Sequence, residues 1–252
     1  MSDQKPSNIF IVLPAYNAAK TLHRTLDEIP QEFRRNIILV DDASKDNTAE
    51  LAREAGLTVF VHTTNRGYGG NQKTCYSEAL AAGADMMVML HPDHQYDANV
   101  IPHMVQPILE GEADAVFGSR MLGGRPLEGG MPWWKYNANV LLTAAANIIF
   151  RRYLTEIHSG FRAYSRKYLE TVRFIENSDD FIFDTEIIAQ GMSNKLTFRE
   201  VPIVTRYFPE ASSISLKRSI IYGLGILRVL FKYWLHHNGL FRFKSFEPQA
   251  RQ

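Results

Sequence analysis

The chain has 252 residues, of which 45% are hydrophobic, and it is therefore long and apolar enough to bury a substantial core. Its formal net charge of +1 excludes a generally basic nucleic-acid-binding protein. Cys75 is the only cysteine, which excludes an intrachain disulfide and a cysteine-rich zinc site and fits a reducing compartment. We predict one large folded domain, with or without a small appendage.

The first half of the chain alternates short β-branched runs with segments long enough to be helices. The runs lie at residues 9–13, 37–40, 58–62, 86–90 and 113–117. Such alternation is typical of right-handed βαβ units, in which helices cover parallel strands. We therefore predict an α/β fold with a Rossmann-like, mostly parallel sheet flanked by helices.

A loop that contains glycine and proline, 123–132, separates this half from an apolar helical stretch at 133–150. A loop of this length inside a compact domain is often functional, so a mobile lid and an ordinary surface connection are both open. Beyond residue 150 we predict a turn at 158–160, two helical segments, a strand at 196–204 and a long helix from about Leu216.

The final helix carries an apolar stripe whose residues recur at steps of three or four. The stripe consists of Leu216, Ile220, Leu224, Leu227, Phe231 and Trp234. A basic strip lies beside it, formed by Lys217, Arg218, Arg228 and Lys232. Apolar surface next to cations suits a bilayer surface, and burial against a second subunit is the alternative. Arg228 and Lys232 interrupt any apolar window long enough to span a membrane.

The most informative stretch is 84–97, in which an apolar run ends in His91, Asp93 and Gln95. In an open α/β sheet, ligands bind beyond the carboxyl ends of the strands. Asp93 and Gln95 are two residues apart in an extended segment and point to the same side, and His91 shares that parity. Asp93 and Gln95 offer the oxygen ligands that Mg²⁺ or Mn²⁺ prefers. A divalent metal site and a solvated turn are therefore both open interpretations.

Polar residues also follow the first three predicted strands. Pro14, Tyr16 and Asn17 follow the first, and Asp41 and Asp42 follow the second. Either aspartate can accept hydrogen bonds from a ribose or a base. The glycine-containing segment 65–73 precedes a helix and resembles a phosphate cradle, although glycines there are also ordinary turn residues.

Seven short motifs occur in chain order, at 13–17, 40–48, 65–69, 93–95, 118–120, 159–162 and 183–186. Together they resemble the family 2 glycosyltransferases of the GT-A fold, in particular the polyprenyl-phosphate sugar synthases exemplified by dolichyl-phosphate mannose synthase. The resemblance implies an inverting transferase that moves a sugar from a nucleotide diphosphate sugar, of the UDP-glucose or GDP-mannose type, to a polyprenyl or dolichyl phosphate.

The resemblance also implies a set of site residues. The nucleotide would be held by Pro14, Tyr16, Asn17, Asp42, Asn65, Gly67 and Asn71. Asp93 and Gln95, with His91 as a further candidate, would hold Mn²⁺ or Mg²⁺ and the donor diphosphate. Relatives carry aspartate where His91 stands, and imidazole suits Mg²⁺ poorly. His91 could therefore bind the cation, contact the nucleotide or sugar, or pack as a neutral side chain.

The acceptor phosphate would be received by Arg120, with Lys135 as the candidate second cation. Arg162 is a further catalytic candidate, because its guanidinium suits a phosphate. A structural ion pair between Arg162 and either Glu156 or Asp184 is the alternative.

The resemblance implies a catalytic domain at 1–212, followed by the amphipathic helix and tail at 213–252. The expected location is the cytoplasmic face of a membrane, bound peripherally, because the polar N-terminus shows no hydrophobic signal region. A homo-oligomer is the alternative use of the helix, and no nucleic-acid partner is expected. Two other functions remain open: transfer to a glycan hydroxyl with Asp184 or Glu186 as base, and a silent nucleotide-binding scaffold.

Overall fold

The computed structural model describes residues 8–123, 126–206 and 216–249. Within these ranges, α-helices flank a sheet of seven strands. The strands are β1 (Ile9–Ala15), β2 (Ile37–Asp41), β3 (Thr58–Val61), β4 (Met86–Met89), β5 (Ala115–Ser119), β6 (Arg162–Ser165) and β7 (Phe198–Pro202). The helices are α1 (Leu22–Glu28), α2 (Thr48–Glu54), α3 (Gly67–Ala81), α4 (Ile101–Leu109), α5 (Trp133–Phe150), α6 (Arg166–Thr171), α7 (Phe183–Ser193) and α8 (Leu216–His237).

The sheet is mostly parallel, which confirms the predicted α/β class. Its strand order is β3-β2-β1-β4-β6-β5-β7, and β6 runs antiparallel to both of its neighbours. Because β1 to β4 are parallel, their carboxyl ends meet at one edge of the sheet. The sequence pattern does not reveal β6, since a four-residue strand is too short for a period of two to stand out.

Alternate residues of the central strands pack into two separate cores. Val12 packs with residues of α3, α7 and α8 on one face, and Ile11 packs with residues of α1 and α4 on the other. Strands that are covered on both faces appear in the sequence as continuous apolar runs. The strands β1 and β4 are accordingly apolar throughout, and polar side chains follow in the loops beyond their ends.

Helix α8 packs on the domain through Ile226, Val229 and Tyr233, which are buried in the same core as Val12. The predicted apolar stripe faces away from this contact, since Leu224 is 63% exposed. No helix within the described residues is long and apolar enough to cross a bilayer. Some predicted features lie outside the described part of the chain, among them the domain boundary between residues 212 and 213 and the side chain of Leu216. The predicted lid at 123–132 is described except for residues 124 and 125.

Candidate active site

The carboxyl ends of β1, β2 and β4 open into a cavity of about 1120 Å³. Every predicted site residue except Arg162 lines it. These residues are Pro14, Tyr16, Asn17, Asp42, Asn65, Gly67, Asn71, His91, Asp93, Gln95, Arg120 and Lys135. They come from loops that are far apart in the chain, and the parallel strands bring those loops to one edge.

Asp42 anchors the glycine-containing loop that follows β3. Its carboxylate accepts hydrogen bonds from the backbone N–H of Arg66 at 2.8 Å and of Gly67 at 3.0 Å, and His62 Nδ1 lies 2.7 Å away. Gly67 has a φ of +84°, and a Cβ there would meet the backbone oxygen of Asp179 at 2.7 Å, so this loop requires glycine. The Asp42 carboxylate shapes the cavity wall, and its contact with a nucleotide stays a prediction.

Asn71 joins the ends of β1 and β2 beside the cavity. Its amide nitrogen donates to the backbone oxygens of Ala15 at 3.3 Å and Val40 at 3.1 Å. Asn17, with a φ of 52°, turns the chain at the end of β1. Tyr16 is 50% exposed, and an exposed aromatic ring in a cavity wall can stack on a base.

Asp93 and Gln95 lie in a turn after β4, where His94 has a φ of 58°, and not in the extended segment that the sequence predicts. Asp93 Oδ1 accepts a hydrogen bond from the backbone N–H of Gln95 at 3.2 Å, and both residues line the cavity. Within the described ranges, no group of three or more His, Cys, Asp or Glu side chains is placed to hold a metal. One carboxylate and one amide oxygen fit a divalent cation whose other positions are filled by phosphate and water.

His91 stands in the cavity wall with its ring packed on Tyr68. The ring centroids are 5.5 Å apart, and Nε2 lies 3.4 Å from the tyrosine hydroxyl oxygen. Burial lowers the pKa of His91, although the charge of Asp93 acts in the opposite direction. The ring is therefore neutral near neutral pH, which is the form in which imidazole binds metals.

Arg120, just beyond β5, is paired with Glu156 in the cavity wall. Its Nε donates to Glu156 Oε1 at 2.8 Å, and its backbone N–H donates to Oε2 at 2.7 Å. Burial alone would raise the pKa of Glu156, but the charge and hydrogen bonds of Arg120 lower it below the usual value. The ionised carboxylate thereby holds the guanidinium at a fixed position.

Lys135 reaches the same cavity from the first turn of α5. Burial lowers the pKa of its ammonium, and the charge of Arg120 lowers it further. The ammonium lies 5.4 Å from the centroid of the Trp134 ring and makes no ion pair with any residue that the structure describes. Since Glu156 already balances Arg120, this part of the wall carries a positive charge that an anionic ligand would neutralise.

Arg162 does not line the cavity. Only 1% of its surface is exposed, and its guanidinium donates to the backbone oxygens of Ser159 at 2.8 Å and Ile157 at 3.0 Å. Asp184 Oδ1 lies 3.3 Å from Nη1. The predicted contact between Arg162 and a substrate phosphate is therefore corrected: its donors face protein acceptors, and the alternative ion pair with Asp184 is present.

Helix α8 brings Arg218, Ser219 and Tyr222 to the cavity. Sequence reasoning placed Arg218 in the basic strip of this helix and did not identify Ser219 or Tyr222. The Tyr222 hydroxyl lies 3.2 Å from Nδ1 of His158, another cavity residue, and burial lowers the pKa of His158 to about 4. No local motif could have signalled these contacts, because they depend on the docking of α8 against α5 and α7.

A mostly parallel sheet with a polar cavity beyond its strand ends is the architecture of the GT-A fold. Residues 10–173 match the family described as Glycosyl transferase family 2. An uncharacterized protein of Methanocaldococcus jannaschii is 32% identical to this chain over 219 residues. The aligned residues cover 87% of this chain and 89% of the Methanocaldococcus protein. The chain belongs to glycosyl transferase family 2.

Two further comparisons concern proteins with assigned activities. A UDP-N-acetylglucosamine–dolichyl-phosphate N-acetylglucosaminyltransferase of Methanococcus voltae is 27% identical over 242 residues, covering 88% of this chain and 96% of its own. The crystal structure of Mycobacterium tuberculosis glucosyl-3-phosphoglycerate synthase with Mn²⁺, UDP and phosphoglyceric acid is 20% identical, with a TM-score of 0.65. The aligned region covers 91% of this chain and 79% of the synthase chain. At 20% identity, the similarity shows a common fold alone.

Proposed function

We propose that this glycosyltransferase moves a sugar from a nucleotide diphosphate sugar, of the UDP-glucose or GDP-mannose type, to a polyprenyl or dolichyl phosphate. The observation that carries the proposal is the positive wall in which Lys135 adds its charge beside the Arg120–Glu156 ion pair. A phosphate monoester would neutralise this wall, whereas a neutral hydroxyl group would not. The Methanococcus voltae relative, whose name includes a dolichyl-phosphate acceptor, supports the same acceptor class.

In this proposal the donor lies at the end of the cavity bounded by the loops after β1, β2 and β3. Tyr16, Asp42 and Asn65 would contact its nucleoside, and Asp93 and Gln95 would hold Mn²⁺ or Mg²⁺ beside its diphosphate. When bound, that cation would neutralise the diphosphate and make it a better leaving group.

The reaction is a single in-line displacement. An oxygen of the acceptor phosphate bonds to the anomeric carbon as the bond from that carbon to the donor diphosphate breaks, so the configuration inverts. The acceptor phosphate is already anionic near neutral pH, and no side chain has to remove a proton from it. Arg120 and Lys135 hold it beside the anionic donor and so reduce the cost of bringing like charges together.

Transfer to a glycan hydroxyl, the main alternative, requires a carboxylate base. Asp184 lines the cavity, but it is paired with Arg162 at 3.3 Å and accepts a hydrogen bond from Tyr68 at 2.9 Å. Glu186 accepts a hydrogen bond from the backbone N–H of Ser178 at 2.6 Å and lies outside the cavity lining. Both candidate bases are thus engaged by the protein, which disfavours this alternative.

The test of the proposal is an assay of purified protein with labelled UDP-glucose, GDP-mannose or UDP-N-acetylglucosamine and a polyprenyl phosphate. We expect an organic-extractable product that mild acid hydrolyses, formed only when a divalent cation is present. Transfer to an added glycan, with none to the lipid phosphate, would support the hydroxyl alternative. Calorimetric binding of nucleotide without transfer to either acceptor would support the silent scaffold.

Lys135 gives the proposed acceptor site a pH dependence. Because its pKa is lowered, its charge is fully present below that pKa and is lost as the pH rises through it. We therefore expect the KM for polyprenyl phosphate to rise with increasing pH in the alkaline range. This rise should begin at a lower pH than the pH at which an exposed lysine loses its charge. In Lys135→Arg the guanidinium stays charged, and this rise should disappear from initial rates measured across pH. The same alkaline profile in Lys135→Arg as in the wild type would remove Lys135 from the acceptor site.

We also propose that helices α5 and α8 bind peripherally to a membrane surface. Leu224 and Phe231 of α8 are exposed, as are Leu141 and Ile148 of the neighbouring helix α5. Arg228 lies on α8 between Leu224 and Phe231, where anionic headgroups would meet its charge. The combination of exposed apolar side chains and cations favours an anionic bilayer as the partner.

Phe231→Asp should weaken cosedimentation with vesicles that contain phosphatidylglycerol by about 10- to 100-fold, because burying a Phe side chain contributes about 1.5–3 kcal/mol. Ile175→Asp changes another exposed apolar residue, outside α5 and α8, and should bind vesicles as the wild type does. If Phe231→Asp instead leaves vesicle binding unchanged and dissociates a dimer in gel filtration, the exposed face is a subunit contact.

A further inference from the structure

The structure fixes the orientation of the His91 ring in the cavity wall. A Cβ built at Gly160 would meet His91 Nε2 at 2.8 Å and Cδ2 at 2.9 Å, so this edge of the imidazole faces the glycine backbone. In a five-membered ring, Nδ1 is the vertex opposite that edge. Nδ1 therefore points away from Gly160, and it hydrogen-bonds to no residue that the structure describes.

The hydroxyl of Tyr68 determines which nitrogen of His91 carries the proton. This hydroxyl donates its single proton to Asp184 Oδ2, which is 2.9 Å away and belongs to the carboxylate paired with Arg162. The tyrosine oxygen is therefore an acceptor toward His91 Nε2, at 3.4 Å. A neutral imidazole has one N–H and one lone pair. The N–H accordingly lies on Nε2, and Nδ1 keeps the lone pair.

We propose, resting on the proposed function, that Nδ1 of His91 ligates the divalent cation beside Asp93 and makes this site select Mn²⁺ over Mg²⁺. Both residues line the cavity, two positions apart after β4. An imidazole nitrogen is a good ligand for Mn²⁺, whereas Mg²⁺ prefers oxygen ligands in a strict octahedral shell. Tyr68 and Asp184 are positioning residues, because they hold the ring in the ligating tautomer.

Pulsed electron paramagnetic resonance of the protein with MnCl₂ and either UDP or GDP tests the ligand directly. We expect modulation from a coordinated imidazole nitrogen in the wild type. This modulation should be lost in His91→Asp, which offers oxygen ligands, and kept in His158→Asn, which removes another cavity imidazole. Absence of the modulation from the wild type, its survival in His91→Asp, or failure of Mn²⁺ to bind with either nucleotide would overturn the proposal.

Calorimetric titration of Mn²⁺ and of Mg²⁺ in the presence of UDP tests the selectivity and the positioning role. The preference for Mn²⁺ should fall by about tenfold or more in His91→Asp and by about tenfold in Tyr68→Phe, which keeps the ring stack without the hydroxyl. Tyr168→Phe is the matched control, because that hydroxyl donates to the backbone oxygen of Ile187 outside the cavity. An unchanged preference in Tyr68→Phe would overturn the positioning role.

The two proposals can fail separately. Transfer to polyprenyl phosphate without nitrogen coupling to Mn²⁺ would remove His91 from the cation site and leave the acceptor assignment standing. Nitrogen coupling without transfer to any lipid phosphate would keep His91 as a ligand and overturn the acceptor assignment.

Discussion

Asp93→Asn should lower kcat by about 10²- to 10³-fold, since loss of one well-placed electrostatic contact costs about 3–4 kcal/mol in the transition state. Asp93 is the candidate cation ligand that brings a negative charge, whereas Gln95 and His91 are neutral ligands. The substitution keeps an oxygen that can accept the hydrogen bond from the backbone of Gln95, so the turn should persist. Initial rates with labelled donor and polyprenyl phosphate measure the effect.

Asp97→Asn is the matched control for this prediction. Asp97 lies in the same loop outside the cavity lining, and its side chain accepts a hydrogen bond from the backbone N–H of Asn99. We expect near wild-type rates for Asp97→Asn and matching circular dichroism spectra for both variants. Wild-type turnover in a folded Asp93→Asn protein would refute the role of Asp93 in the cation site.

Arg120→Gln should both inactivate and destabilise the protein. Arg120 is the cation paired with the fully buried Glu156, and removing one partner of a buried ion pair costs about 3–5 kcal/mol in unfolding free energy. The same change removes the guanidinium that would hold the acceptor phosphate. We expect a lower urea midpoint and little transfer to polyprenyl phosphate.

The double variant Arg120→Gln with Glu156→Gln separates these two effects. It removes both charges, so the uncompensated buried charge that destabilises the single variant is no longer present. The urea midpoint should therefore recover much of its loss, while transfer stays low because the acceptor site still lacks the Arg120 guanidinium. If activity returned together with stability, the contribution of Arg120 would be structural alone.

Helix α8 links the proposed acceptor site to the proposed membrane surface. Its first turns contribute Arg218 and Tyr222 to the cavity, and further along it exposes Leu224 and Phe231. A polyprenyl phosphate with its head group near Arg120 would have apolar surface available for its chain along the same helix. The geometry is thus compatible with a lipid acceptor that stays in the bilayer while its phosphate reacts.

Much of the candidate site could be predicted from motifs, because parallel strands carry polar residues to one common edge. Asp42 and Asp93 are examples, since each follows a strand whose apolar run is visible in the sequence. Arg162 could not be assigned in this way. Its motif is compatible with a phosphate contact or a buried ion pair, and the choice depends on Asp184, which lies on α7.

The sequence by itself determined the α/β class, the family resemblance and the polar residues beyond the strand ends, because periodicity and motif order are properties of neighbouring residues. Only the tertiary structure decided that Arg120 pairs with Glu156, that Tyr68 orients His91 and that α8 forms part of the cavity wall. Those contacts join residues far apart in the chain. Their formation depends on how helices pack against the sheet, which no local pattern encodes.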